Sequence, residues 1–207
     1  MTAPVRQVRG PRLVDKVLEA TLRELETRGY SELSIEEVAA RAEVAKTTIY
    51  RRWESKAALV RDALVRVSDT VARDVDTGSL RGDLFATLTS FRAFATSPRG
   101  QSLLRTGLGA SVDAELLAVA QEVRKQREDL PLRIVARAVA RGELPKGTNA
   151  ELVVDTLVGA LVHWILFAHR EPTDRALRAI IELVLVGAAN GGAPGRHGAG
   201  GRPADDR

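Results

Sequence analysis

Apolar side chains recur at three- and four-residue intervals along most of the chain, the spacing of one helix face, and the Val-rich segments follow it rather than alternating between turns. Val14, Val17, Leu18, Thr21, Leu22 and Leu25 stripe a first helix over 12–28, and Gly29 supplies its stop. Ile35, Val38, Ala39 and Ala42 give a short second helix one apolar face. Ser34 precedes it as a good N-cap, and Glu37 three residues later can bond back, a capping box. Glu43-Val44 interrupts the periodicity. A third short helix follows over 46–53, with Ile49 and Trp53 inward. Ser55 caps a fourth over 56–76, whose Val60, Ala63, Leu64, Val67 and Val71 lie on one side, and Asp76-Thr77-Gly78-Ser79 ends it.

Beyond that boundary the pattern predicts helices over 83–95, from Pro98 to about 107–111, over 113–128, and from Pro131 to Gly142. The last two, 149–168 and 173–190, are apolar nearly all round and need cover on several sides. A second copy of the chain can supply one of those sides, through Leu161, Ile165, Ile181 and Val184; a wholly intramolecular core is the alternative. The charge-free run Thr156–Ala168 spans 13 residues. That is short of the roughly 20 a membrane span needs, so no membrane role is expected. From Gly191 the chain has six Gly and two Pro in 17 residues and no large apolar side chain, which predicts a disordered tail.

The fold class is therefore all-α. A flexible basic arm (1–11) leads into a three-helix unit with a helix-turn-helix (12–56). A connecting helix (57–78), a C-terminal helical bundle (79–190) and the tail (191–207) follow. Two short helices at a tight turn offer the second to the major groove of DNA. Its outer face carries Lys46, Thr47, Tyr50 and Arg51, and residues 41–56 hold five cations against two anions. Cations neutralise phosphates, and Thr can bond a base edge or touch a thymine methyl. The plain alternative is a helical hairpin with a solvated basic face. The net charge of +4 and pI near 9.8 are compatible with nucleic acid. In the arm, Arg6 and Arg9 can follow the DNA backbone or enter the minor groove; a solvated start is equally open.

KTTIYRRWESKAALV, from Lys46, resembles the recognition helix and following helix start of the tetracycline-repressor (TetR) family of bacterial regulators. Lys46, Thr47, Thr48, Ile49, Tyr50, Trp53, Ser55 and Lys56 carry the resemblance, which extends over about 12–64. Glu43, Ala45 and Glu54 depart from the commoner Gly, Ser and Pro. The resemblance implies a homodimeric transcriptional regulator that binds double-stranded DNA at an inverted-repeat operator. It implies repression relieved by a small molecule, although some relatives activate. Lys46, Thr47 and Thr48 are implied as base contacts and Tyr50, Arg51, Arg52 and Lys56 as phosphate contacts. It also implies a dimer interface on the last two helices.

With no cysteine, a disulfide framework or thiolate metal site is excluded. His163 and His169, read on one helix, project about 240° apart. Together with the absence of an acid/base cluster, this leads us to expect no metal, no cofactor and no enzyme. A small all-α enzyme and an architectural DNA-binding protein without ligand are the competing classes, the latter separated by whether 80–190 contains a pocket. Phe91, Phe94, Trp164 and Phe167, with Phe85, are the candidate pocket walls, because small-molecule sites are mostly aromatic and aliphatic. The first residues lack an apolar signal segment, so a cytoplasmic location is expected.

Overall fold

The computed structural model describes residues 10–71, 74–109, 114–126 and 129–190, so the arm before Gly10 and the tail after Asn190 lie outside the described residues. Among the described residues there are helices and no strands. Helix α1 (Pro11–Glu32) starts with Pro at a position that needs no N–H donor and kinks at Gly29, whose φ of 74° a side chain would strain. In α2 (Ile35–Ala42) the Ser34 hydroxyl accepts from the Glu37 N–H at 3.2 Å. The Glu37 carboxylate faces Arg28 at 3.7 Å instead of turning back to the cap. α3 (Lys46–Tyr50) is shorter than expected: the Arg52 and Trp53 N–H groups both bond to the Ile49 carbonyl, so the chain turns before Trp53. α4 (Lys56–Val71) opens on Ser55, whose hydroxyl accepts from Ala58 N–H at 3.1 Å.

The second half comprises α5 (Leu80–Thr96), α6 (Pro98–Gly109), α7 (Ala114–Lys125), α8 (Asp129–Ala140), α9 (Ala150–Val162) and α10 (Asp174–Asn190). Ser79 and Asn149 cap α5 and α9 with their side chains. A π-helical turn, His163–Phe167, prolongs α9. His169 lies beyond it with φ of 48°, so the two histidines do not share a regular helix.

Apolar burial divides the chain differently from its order. One core joins α1–α4 to Leu103 of α6 and Leu116 and Val119 of α7. The other is built by α5, α8, α9 and α10 around Leu84, Leu88, Ile134, Leu157, Leu161 and Ile181. Helices α6 and α7 thus pack with the N-terminal unit although they follow the expected boundary at 79.

Two ionic devices fix the geometry. The Glu24 side chain is only 1% exposed and takes Arg41 of α2 at 2.7 and 2.8 Å, pinning α2 to α1. Asp83, fully buried in α5, accepts from the Thr77 N–H at 2.6 Å and hydroxyl at 2.8 Å, and from Arg141, just past the end of α8, at 3.2 Å. Arg137 adds bonds to Asp74 and to the Val75 carbonyl, each 2.8 Å. With Asp74 and Asp76 held by α8, residues 74–77 are not helical, and α4 does not run to Asp76 as expected.

Burial opposes ionisation of Asp83, yet the bonds from Thr77 and Arg141 hold its carboxyl below its ordinary value. A lowered folded value gives stability that is present above the unfolded carboxylate range, near pH 4, and lost as pH falls through the folded value. Asp83→Asn is expected to cost about 2 kcal/mol at pH 7, because it leaves Arg141 and Arg137 without the charge they bind. It should also flatten the acid limb of stability against pH, measured by urea unfolding between pH 7 and 3.

Candidate nucleic-acid interface

The turn between α2 and α3 is closed by backbone bonds. Val44 N–H reaches the Ala39 carbonyl at 3.0 Å and Glu43 N–H reaches Ala40 at 3.1 Å, a Schellman pair that folds Val44 back over Ala39. The closure puts Glu43 in the left-handed region at φ 52°, where glycine would be free of strain. Lys16 of α1 holds the Glu43 carboxylate at 2.5 Å, and this bond lowers its pKa, favouring the charged form.

Below the turn, Ile49 is fully buried and Trp53 nearly so, its indole N–H donating to Asp62 of α4 at 2.9 Å. α3 is thereby held against α2 by one face, and Trp53 just past its end ties it to α4. The other face shows Lys46, Thr47 and Tyr50 to solvent, with Thr48 half-buried at its edge. Arg51 and Arg52 are exposed just past the helix end, Arg52 lying over the Trp53 ring at 5.7 Å. Six of the seven sequence-predicted contact residues therefore line one surface. Lys56 differs: its ammonium donates to the Tyr30 carbonyl at 3.2 Å and sits 4.3 Å over the Tyr30 ring, tying the start of α4 to the end of α1.

The basic balance of the segment is smaller at the surface than in the sequence. Arg41 is taken up by Glu24, and Lys46 forms a close ion pair with Glu36. Among the described residues Arg51 and Arg52 pair with no carboxylate, so they are the cations freest to meet phosphates. Glu36 was not apparent as a functional residue from sequence, because only the packing of α2 on α3 brings it to Lys46.

A cavity of about 510 Å³ lies along the seam between the two cores, walled by α4 through α9. Phe91, Phe94, Leu64, Val67 and Val158 are among its apolar walls. An Arg124–Asp155 ion pair of 2.6 Å lines its solvent side. The expected aromatic set is split. Trp164 and Phe167 are not part of this lining, because the cavity meets α9 at Glu151–Val158 and Trp164 lies about 9 Å further along the axis. Trp164 packs at the second core beneath Arg170, and Phe167 is 62% exposed and stacks on His163. Phe85 sits under Arg178 at 4.0 Å.

The residues expected to pair two copies need a similar correction. Leu161 and Ile181 are buried inside the chain's own second core, where α9 and α10 pack on each other and on α5, and Ile165 is buried within the chain in the π-helical turn. Val184 is half-buried and lines a groove of about 400 Å³ between α9 and α10. The uncovered apolar side chains in its lining are Leu152 and Leu183.

Two family models match this sequence: bacterial regulatory proteins of the tetR family over residues 17–63, and the tetracyclin repressor-like C-terminal domain over 74–184. The HTH-type transcriptional regulator AqdR of Rhodococcus erythropolis is 34% identical over 157 residues, covering 76% of this chain and 75% of its own. The DNA-binding transcriptional repressor TetR of Mycobacteroides abscessus is 35% identical over 179 residues, 82% of this chain and 90% of its own. Among solved structures, the TetR family transcription regulator SCO0332 superimposes with a TM-score of 0.68 at 30% identity, over 85% of this chain and 98% of that one.

Replacing Glu43 by Gly removes the left-handed strain at the turn and loses only an exposed ion pair. Glu43→Gly should raise the melting temperature by about 2–4 °C in calorimetry. A fall would mean that the Lys16 contact, not the backbone, decides the turn.

Proposed function

The chain belongs to the TetR family of DNA-binding transcriptional regulators, and from that premise we propose that it is a cytoplasmic repressor, dimeric on an inverted-repeat operator and released by a small apolar or amphipathic molecule. The cavity at the seam carries this proposal. Its α4 wall, Leu64, Val67, Ser68 and Val71, belongs to the same helix that holds Trp53 through Asp62. A molecule in the cavity presses on α4 from one side, while α3 hangs from the other. The shared helix connects occupancy to the angle of the reader, which a ligand-free architectural protein would not need.

In this scheme the exposed face of α3 enters the major groove, with Lys46, Thr47 and Thr48 toward base edges. Tyr50, Arg51 and Arg52 lie toward phosphates. Lys56 acts by bracing α4 against Tyr30. Two readers related by a two-fold axis select half-sites about one helical turn, roughly 34 Å, apart. The second copy covers the α9–α10 groove. Ala150–Phe167 has the length and composition of a membrane-crossing helix, and only 28% of it is buried within the chain. Glu151 and Asp155 in its first turns, and its packing against α5, α8 and α10, favour a helix shared between two protein cores.

Three measurements test the scheme. Thr48→Ala should flatten base preference in a binding-site selection, whereas Arg51→Ala should weaken all duplexes alike and reduce the salt slope by about 0.9 per protomer. Leu183→Glu, placing a charge in the uncovered groove, should shift the sedimenting species from dimer to monomer; a dimer that persists would move the interface elsewhere. By linkage, operator must weaken an effector by the factor with which the effector weakens operator. Equal effector affinity with and without operator would remove the release mechanism.

A further inference from the structure

The exposed side of the reader carries an anion that DNA binding does not call for. Glu36, in the first turn of α2, and Lys46, the first residue of α3, are ten apart in sequence and meet as a close ion pair. Of the two side chains, 60% of Glu36 and 46% of Lys46 remain open to solvent. The Lys46 ammonium also lies 5.5 Å over the ring of Tyr50, so its stem is directed along α3. The bond from Lys46 lowers the pKa of Glu36, and the bond to Glu36 raises that of Lys46, so both stay charged near neutral pH. Exposed pairs of this kind add little to fold stability. The consequence of this one lies in what Lys46 can offer an incoming duplex.

Resting on the DNA-binding role above, we propose that Glu36 is a positioning residue that widens the contrast between cognate and random DNA by holding Lys46 until base acceptors compete for it. On a random duplex Lys46 would exchange a carboxylate for a phosphate and leave Glu36 uncompensated beside the backbone. Little is gained by that exchange. On a cognate duplex a base edge such as guanine O6 and N7 offers the ammonium two directed acceptors. The pair then opens only where sequence rewards it, which is specificity obtained by penalising the wrong partner.

The test uses the full-length protein, the duplex it selects from a randomised pool, and a scrambled duplex of equal length. Glu36→Gln should raise affinity for the scrambled duplex roughly fivefold to tenfold and steepen its salt dependence by about 0.9 per protomer, as the freed cation displaces a counterion. Cognate affinity should change by a smaller factor, so the ratio narrows, and the melting temperature should not move. In a Lys46→Met background the same substitution should do nothing, because Glu36 acts through Lys46. A cognate loss with random binding unchanged would make Glu36 a base reader and overturn the proposal. So would a gain on the scrambled duplex that survives in the Lys46→Met background, which is plain repulsion, or equal changes on both duplexes. If the intact protein selected no duplex from the pool, sequence-specific binding itself would fail, and this inference with it.

Discussion

Helix α4 has to complete the first hydrophobic core and wall the cavity beside it at once, and the rest of the molecule is arranged around that constraint. Its Leu59, Val60 and Ala63 are buried against α1 and the helix-turn-helix. Leu64 and Val67, one turn further, line the cavity that separates the first core from the second. Packed interiors move between discrete arrangements rather than deforming smoothly. A helix that is part of a core on one face and lines a cavity on another therefore transmits a change in filling, where one buried wholly in a core would absorb it. The fixed points at either end sharpen this: Ser55 caps the start and Lys56 anchors it to α1, and the Asp74–Arg137 and Asp83–Arg141 bonds anchor the chain that follows.

Electrostatics divides into charges used for assembly and charges left for a partner. Glu24–Arg41 and Arg99, which meets Glu19 at 2.5 Å and also pairs with Glu26, tie α2 and α6 onto α1. The Arg99 bonds lower the pKa of Glu19 and the bonds to Glu19 and Glu26 raise that of Arg99, so this clamp between the halves is held across the neutral range. A buried or half-buried pair of this sort specifies which helix faces meet more than it adds stability. What remains on the reader is a short row of hydroxyls, one tyrosine and two free arginines, a surface of modest charge. Modest charge limits sequence-independent attraction and leaves more of the discrimination to base edges.

Much of this was legible in the sequence because it is local. Helical periodicity, Ser34, Ser55 and Gly29 carry their instructions within a few residues, and the first helices appear where those signals stand. Ser79, read only as the end of the preceding segment, caps α5, which starts at Leu80 rather than at 83. What was not legible depends on pairs far apart in the chain. The early end of α4 follows from Arg137 and Arg141 some sixty residues later. The internal role of Lys56 follows from where the Gly29 kink leaves Tyr30. Leu161, Ile165 and Ile181 read as interface residues because an all-round apolar helix does not announce which side its own domain covers. The aromatics were likewise grouped by type, and type alone does not say that Phe91 and Phe94 share a cavity while Phe167 points to solvent.

Membership of α6 and α7 in the first core has a consequence for how occupancy is transmitted. Leu103 of α6 is buried in that core and also lines the cavity, and Phe94 of α5 packs against the same core from the cavity wall. A molecule lodged there touches α4 directly and touches α1 through α6, whose Arg99 grips Glu19 and Glu26 and whose Ser102 donates to the Glu26 carbonyl. Both supports of the helix-turn-helix, α1 and α4, are therefore one contact away from the cavity by separate routes. If only α4 moved, the helix-turn-helix would shear against α1, where the Glu24–Arg41 bond to α2 and the buried Val17 and Leu25 resist it. With α6 carrying α1 in the same direction, the three-helix unit can turn as a body, and its own core is left undisturbed.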